Sequence, residues 1–140
     1  RDGAKKKFFA WFYNPEAKND QLEKMFNKRE VLANYWNGTH VNTFYDRHIE
    51  ADEKHALNYL IQSTTSDLFL RRMIAVWERL ESRRSHVAFS VHDSLVMDYH
   101  YEDRDILKEI IEMFGNTELG NFKVNMSVGK SYGEMIAREI

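Results

Sequence analysis

Val87-Ala88-Phe89-Ser90-Val91-His92-Asp93-Ser94-Leu95-Val96-Met97-Asp98-Tyr99 is the stretch on which the fold turns. Its two β-prone runs, 87–91 and 95–99, are hinged at His92-Asp93-Ser94, which predicts a buried hairpin with Asp93 at its tip. Downstream, 103–114 reads as an amphipathic helix through Ile106, Ile110, Ile111 and Phe114, and 122–128 alternates like a strand. Strand, strand, helix, strand predicts an antiparallel sheet with helices on one side, an α+β design.

Upstream of the hairpin, Asp52 is placed to cap a long helix running to about Arg83, with an apolar stripe that includes Leu57, Leu60, Leu68, Ile74, Trp77 and Leu80. The stripe shifts around the axis, so the two ends of this helix are expected to meet different neighbours. Before it, the pattern breaks at Asn37-Gly38, and the runs 40–44 and 47–50 predict a small hairpin. Two helices are expected at the front, 1–14 and 19–35. The only proline, Pro15, follows Asn14 and stops the first.

Composition is that of a folded chain: 43% hydrophobic and 30% charged over 140 residues, enough for one core but not for a second independent domain. With no cysteine, disulfides, cysteine-ligated zinc and thiol nucleophiles are excluded, and an intracellular home is allowed. No apolar run approaches membrane-spanning length, and no signal-peptide layout follows Arg1. The chain reads as cut from something longer. Its formal net charge of -2 hides a split: residues 1–36 hold eight Lys or Arg against five Asp or Glu, whereas 98–118 hold seven acids against two bases. A basic front suits a face presented to a polyanion; solvated surface charge explains such blocks equally well.

At about 100° per residue, Arg1, Lys5, Phe9 and Tyr13 step only about 40° from one to the next and form a slowly turning face roughly 18 Å long. Ala4, Phe8, Trp11 and Phe12 fall on a neighbouring stripe, the ordinary core face. Two cations one turn apart suit a polyphosphate, and two rings on the next turns suit a sugar and a base. From spacing alone the more ordinary reading is a solvated basic run, Lys5-Lys6-Lys7, with Phe9 and Tyr13 widening the core, since aromatic stripes are more often core than ligand sites. Asp93 likewise suits a hard divalent cation, although aspartate in a tight turn is common for conformational reasons. On the long helix, Asn58 and Gln62 are an amide pair one turn apart.

Arg1-Asp2-Gly3-Ala4-Lys5 through Phe9 to Tyr13 resembles, at every spacing, the motif B helix of family A DNA polymerases, Arg-x3-Lys-x3-Phe-x3-Tyr. Val91-His92-Asp93-Ser94 resembles motif C of the same family, Val-His-Asp-Glu, with Ser94 in place of the glutamate. Between them Asn58-x3-Gln62 resembles the family's Asn-x3-Gln pair, and 59–67 resembles phage-type members. Asn14 replaces the usual glycine after the tyrosine, and Asp46 replaces the glycine of a Gly-Arg turn. The segment from Tyr13 to Asn58 is shorter than usual.

The resemblance implies a single fingers-and-palm segment: a fingers helix at the N-terminus with reduced fingers over 1–52, then an antiparallel palm sheet over 53–140 that carries the motif C hairpin and is packed by helices. It implies DNA-directed DNA synthesis from a primer 3' end, in replication or repair. Arg1 and Lys5 would hold the incoming deoxynucleoside triphosphate, and Lys5 would protonate the leaving pyrophosphate. Phe9 would pack on the incoming sugar and base, with Tyr13 by the template base. Asn58, Gln62 and His92 would contact primer-template DNA, and Asp93 would bind Mg2+, one of two ions. Motif A, with the second carboxylate, and the thumb would lie upstream of Arg1, which leaves the chain inactive alone. Asp46, Asp67 and Asp98 read as turn, helix-surface and strand positions. A phage origin would place the protein in the cytoplasm of a bacterial host. A second reading keeps the fold as a non-catalytic DNA-binding or assembly module. A phosphohydrolase using His92-Asp93 is disfavoured, because His40, His48, His55, His86 and His100 lack ligand-like spacing.

Overall fold

The computed structural model describes residues 2–138. They form an α+β chain of five α-helices and short antiparallel ladders, divided into two compact units, 1–67 and 68–140.

The first unit opens with α1 (Asp2–Phe12). Where one helix over 19–35 is expected, the chain forms α2 (Asp20–Phe26) and α3 (Lys28–Tyr35), broken at Asn27. Asn27 sits at φ 44° and ψ 51°, the left-handed region that asparagine tolerates better than most residues. Its N–H donates to the Glu23 carbonyl at 2.7 Å, ending α2, while its carboxamide donates to the Glu30 carboxylate. Asn19 caps the start of α2 by accepting from the Leu22 N–H at 3.1 Å.

Gly38, at φ 99°, allows the turn that the Asn37-Gly38 pair predicts, and the Asn37 side-chain oxygen accepts from the Thr39 and His40 N–H groups. The small hairpin follows as β1 (His40–Asn42) and β2 (His48–Glu50), with Val41 opposite Ile49. In its loop Asp46 adopts φ 58°, so the residue standing where the family has glycine takes the backbone conformation that glycine favours. Arg47 then donates from its guanidinium to both oxygens of Asp67. The long helix α4 (Glu53–Leu80) starts as expected at Asp52, whose carboxylate accepts from the His55 N–H at 2.9 Å. Val41, Ala51, Ala56, Leu57 and Leu60 form the core of this unit, flanked by Phe12, Val31, Leu32, Tyr35 and Trp36. The indole N–H of Trp36 is satisfied by the Ala51 carbonyl at 2.9 Å.

The second unit is built on Val76, Leu80, Ile106 and Ile110, flanked by Val87, Leu95, Met97 and Phe114. Its hairpin is β3 (His86–Val91) with β4 (Ser94–Asp98). A 3-10 turn, Tyr101–Ile106, precedes α5 (Leu107–Gly115), so the expected helix starts earlier and more tightly wound than its periodicity implies. Asp103 in that turn is buried and accepts from the N–H groups of Arg84 and Ser85 at 3.0 and 2.6 Å. Hydrogen bonding from the Ser85 side chain, opposed by burial and joined by those two N–H groups and nearby Arg83, holds its carboxyl below the ordinary range.

The sheet differs from expectation. Among the described residues the strands form four separate two-stranded ladders rather than one sheet. After α5 come β5 (Asn116–Thr117) with β6 (Gly120–Asn121), then β7 (Met126–Val128) with β8 (Ile136–Arg138). Only 126–128 of the expected strand 122–128 is a strand. Phe122 instead donates its N–H to the Gly115 carbonyl at 2.8 Å, pinning the chain against the end of α5. The approach there is close enough that a Cβ on Gly115 would lie 2.7 Å from the Phe122 carbonyl oxygen. Backbone groups committed to a helix end are not free for a strand ladder.

Candidate functional site

Of the four residues on the expected outward face of α1, Arg1 lies outside the described residues; the other three stand in one column. The Lys5 ammonium lies 5.8 Å from the centre of the Phe9 ring, and the Phe9 and Tyr13 rings stack nearly parallel, 3° apart in tilt, with centroids 5.7 Å apart. Lys5 is exposed, Phe9 is 39% exposed and Tyr13 is half-buried. The neighbouring stripe behaves as a core face from Phe8 onward, with Ala4 exposed instead: Trp11 is 4% exposed, and Phe8 stacks on Phe12 and meets Phe26 edge-on at 5.0 Å. The helix therefore separates a packing side from a side that carries a cation and the exposed Phe9 ring, on which half-buried Tyr13 stacks.

α1 stops at Phe12, earlier than the expected 14, with Tyr13 held by its N–H to the Phe9 carbonyl at 3.1 Å. Asn14 then turns the chain, its side-chain oxygen accepting from the Glu16 N–H at 3.1 Å. Asparagine thus replaces the family's glycine with a side-chain-stabilised turn. Beside Tyr13 lies a cavity of about 330 Å³ bounded by Phe12, Tyr13, Lys28, Leu32, Trp36 and Leu57, among others.

In the second unit Val91 pairs with Ser94, so His92 and Asp93 alone form the turn and Ser94 begins a strand. His92 takes φ 53°, a left-handed conformation in which a non-glycine residue costs about 1–3 kcal/mol. Such strain persists only where the flanking ladder enforces it, and it fixes the direction in which Asp93 leaves the turn. The hairpin is not buried as expected. Only Val87 and Val91 of β3 are half-buried and Phe89 is 46% exposed, because Val87, Leu95 and Met97 pack on the core while Phe89 turns to Tyr132, at 5.5 Å. A register shift between Val87 and Phe89 produces this change of direction. His92 and Asp93 are both exposed.

Asn58 and Gln62 are brought together on α4: the Gln62 amide N–H donates to the Asn58 side-chain oxygen at 2.9 Å. Asn58 is half-buried and Gln62 is exposed. Asp46 and Asp98 occupy the turn and strand-end positions expected of them, and Asp67 lies on α4 bonded to Arg47. Among the described residues no group of three or more His, Asp or Glu converges as a metal site. Asp93 suits a hard divalent cation as a single exposed carboxylate, which fits one side of a shared site rather than a whole one. The residue that sequence reasoning missed is Lys28, which is buried and donates to three carbonyls around the end of α1. A lysine at the start of a charged helix carries no sequence signal of burial.

The profile described as DNA polymerase family A matches residues 6–137, and the chain belongs to that family. The match begins one residue after Lys5. A DNA polymerase I of Caldicellulosiruptor bescii is 36% identical over 62 residues, 43% of this chain and 7% of that protein. A DNA polymerase I of Borreliella burgdorferi is 26% identical over 99 residues, covering 67% and 11%, and a DNA polymerase of Bacillus phage SP01 is 32% identical over 95, covering 59% and 10%. The chain thus spans about a tenth of the length of these curated relatives. No solved structure matches it significantly. No helix among the described residues is long and apolar enough to cross a membrane.

Proposed function

We propose that this chain is the nucleotide-binding and motif C part of a DNA-directed DNA polymerase, adding deoxynucleotides to a primer 3' end. The supporting observation is the column of Lys5 and Phe9 on α1 with Tyr13 just past its end, in a family A chain that also carries an aspartate-tipped hairpin. On this reading Arg1 and Lys5 bind the triphosphate, and Lys5 delivers a proton to the leaving pyrophosphate. Phe9 lies along the incoming sugar and base, and Tyr13 lies by the template base. Asn58 and Gln62 face the minor groove, where purine N3 and pyrimidine O2 accept from an amide at every base pair. His92 stands by the primer terminus.

Asp93 supplies one carboxylate of the metal site, and an upstream segment supplies the opposing one. Two Mg2+ ions, when bound, lower the pKa of the primer hydroxyl and offset charge on the triphosphate. The chain's own part is to orient: the helix face fixes the triphosphate, and the strained turn fixes Asp93.

The Phe9 ring tests the assignment. It is exposed enough to carry an added hydroxyl without repacking. In an enzyme completed with an upstream segment, Phe9→Tyr is expected to ease incorporation of dideoxynucleotides relative to deoxynucleotides by about tenfold, the worth of a hydrogen bond of about 1.4 kcal/mol replacing the one lost with the 3'-hydroxyl. The ratio is read from competitive single-nucleotide extension. An unchanged preference would make Phe9 a packing residue.

A further inference from the structure

The end of α1 is held by a residue from another helix. Like any helix, α1 leaves its last carbonyls without intrahelical partners, and it has no basic residue of its own in its last turn to meet them. Lys28, the first residue of α3, reaches back to supply that cation. Its Nζ donates to the carbonyls of Trp11 at 2.7 Å, Asn14 at 2.9 Å and Ala17 at 3.3 Å, which uses all three ammonium protons. It also lies 4.6 Å from the centre of the Trp11 ring. The side chain is 3% exposed. Burial lowers its pKa, against the opposing pull of Glu23, as expected for a desolvated ammonium held by carbonyls alone.

The carbonyls it gathers flank Tyr13 on both sides, so this one ammonium fixes where the Tyr13 ring leaves the helix and hence the stack on Phe9. We propose that Lys28 is a positioning residue for the nucleotide face of α1, presetting the Phe9–Tyr13 column before a triphosphate arrives; this rests on the function proposed above. The break at Asn27 is what turns Lys28 toward α1 instead of leaving it on the surface of one long helix.

The test is hydrogen exchange on the 140-residue chain, with deoxythymidine triphosphate as the probe. Lys28→Met keeps the stem and removes the donors. It is expected to speed exchange of the amides from Phe9 to Tyr13 about tenfold without nucleotide and to weaken triphosphate protection of those amides about tenfold, with β3–β4 amides unchanged. Lys28→Gln, which keeps two donors without the charge, is expected to fall between. Unchanged exchange in α1 would overturn the proposal, as would faster exchange with wild-type triphosphate affinity, since Lys28 would then be only structural. Global unfolding of both variants would also overturn it, making Lys28 a folding requirement. If the unaltered chain gains no protection from the triphosphate, the nucleotide reading of α1 fails, while the nucleotide-free comparison still decides whether Lys28 holds the helix.

Discussion

Replacing Asp93 by asparagine is expected to abolish nucleotide addition in the completed enzyme, by a factor on the order of 10³ or more, while primer-template affinity stays within about twofold. The change is isosteric and falls at an exposed turn position, so it leaves the packing of Val87, Leu95 and Met97 on the second core untouched. On the proposed reading it removes a full negative charge from the metal site, and that loss would fall on the transition state, where charge gathers on the attacking and leaving oxygens. DNA affinity depends on other residues and on the phosphate backbone, so binding and chemistry should separate cleanly. Single-turnover extension alongside a primer-template titration reads both. Addition within a fewfold of the unaltered enzyme would remove Asp93 from the metal site.

Lys5→Ala is expected to lower the rate of the chemical step by about 10²–10³ with a smaller change in apparent nucleotide affinity. The ammonium stands exposed above Phe9, and its removal deletes one ring contact without opening the core. An interaction that strengthens as charge develops on the leaving pyrophosphate is lost mainly from the transition state. A fall confined to duplex affinity would instead make Lys5, Lys6 and Lys7 an unspecific basic run and would defeat the assignment of α1.

The helix face and the hairpin were legible in the sequence because each rests on a short-range constraint. A spacing of four residues places Lys5, Phe9 and Tyr13 in line on any α-helix, and paired β-prone runs around His92-Asp93 leave little but a hairpin. What was not legible depends on longer-range geometry. The apolar periodicity of 19–35 runs through Asn27 unbroken, and nothing in it signals a left-handed residue or the burial of Lys28. β3 reads as buried because Val87, Phe89 and Val91 alternate along one face, but only part of it packs within its own unit. Residues 122–128 alternate as a strand should, yet Phe122 is committed to the end of α5, and β7 finds its partner in Ile136–Arg138, a segment with no strand signal of its own. Arg1, by contrast, is readable only from the motif.

The proposed division of the active site between this chain and an upstream segment is tested most directly by template-dependent extension of a primer, measured for the purified 140-residue chain alone and after mixing with a separately made upstream segment of a family A polymerase. In-line phosphoryl transfer needs carboxylates on both sides of the metal pair, and on the proposed reading Asp93 would provide one. The expected result is no extension by the chain alone and extension on mixing, abolished when the chain carries Asp93→Asn. Extension by the chain alone, lost in Asp93→Asn so that contamination is excluded, would contradict the account.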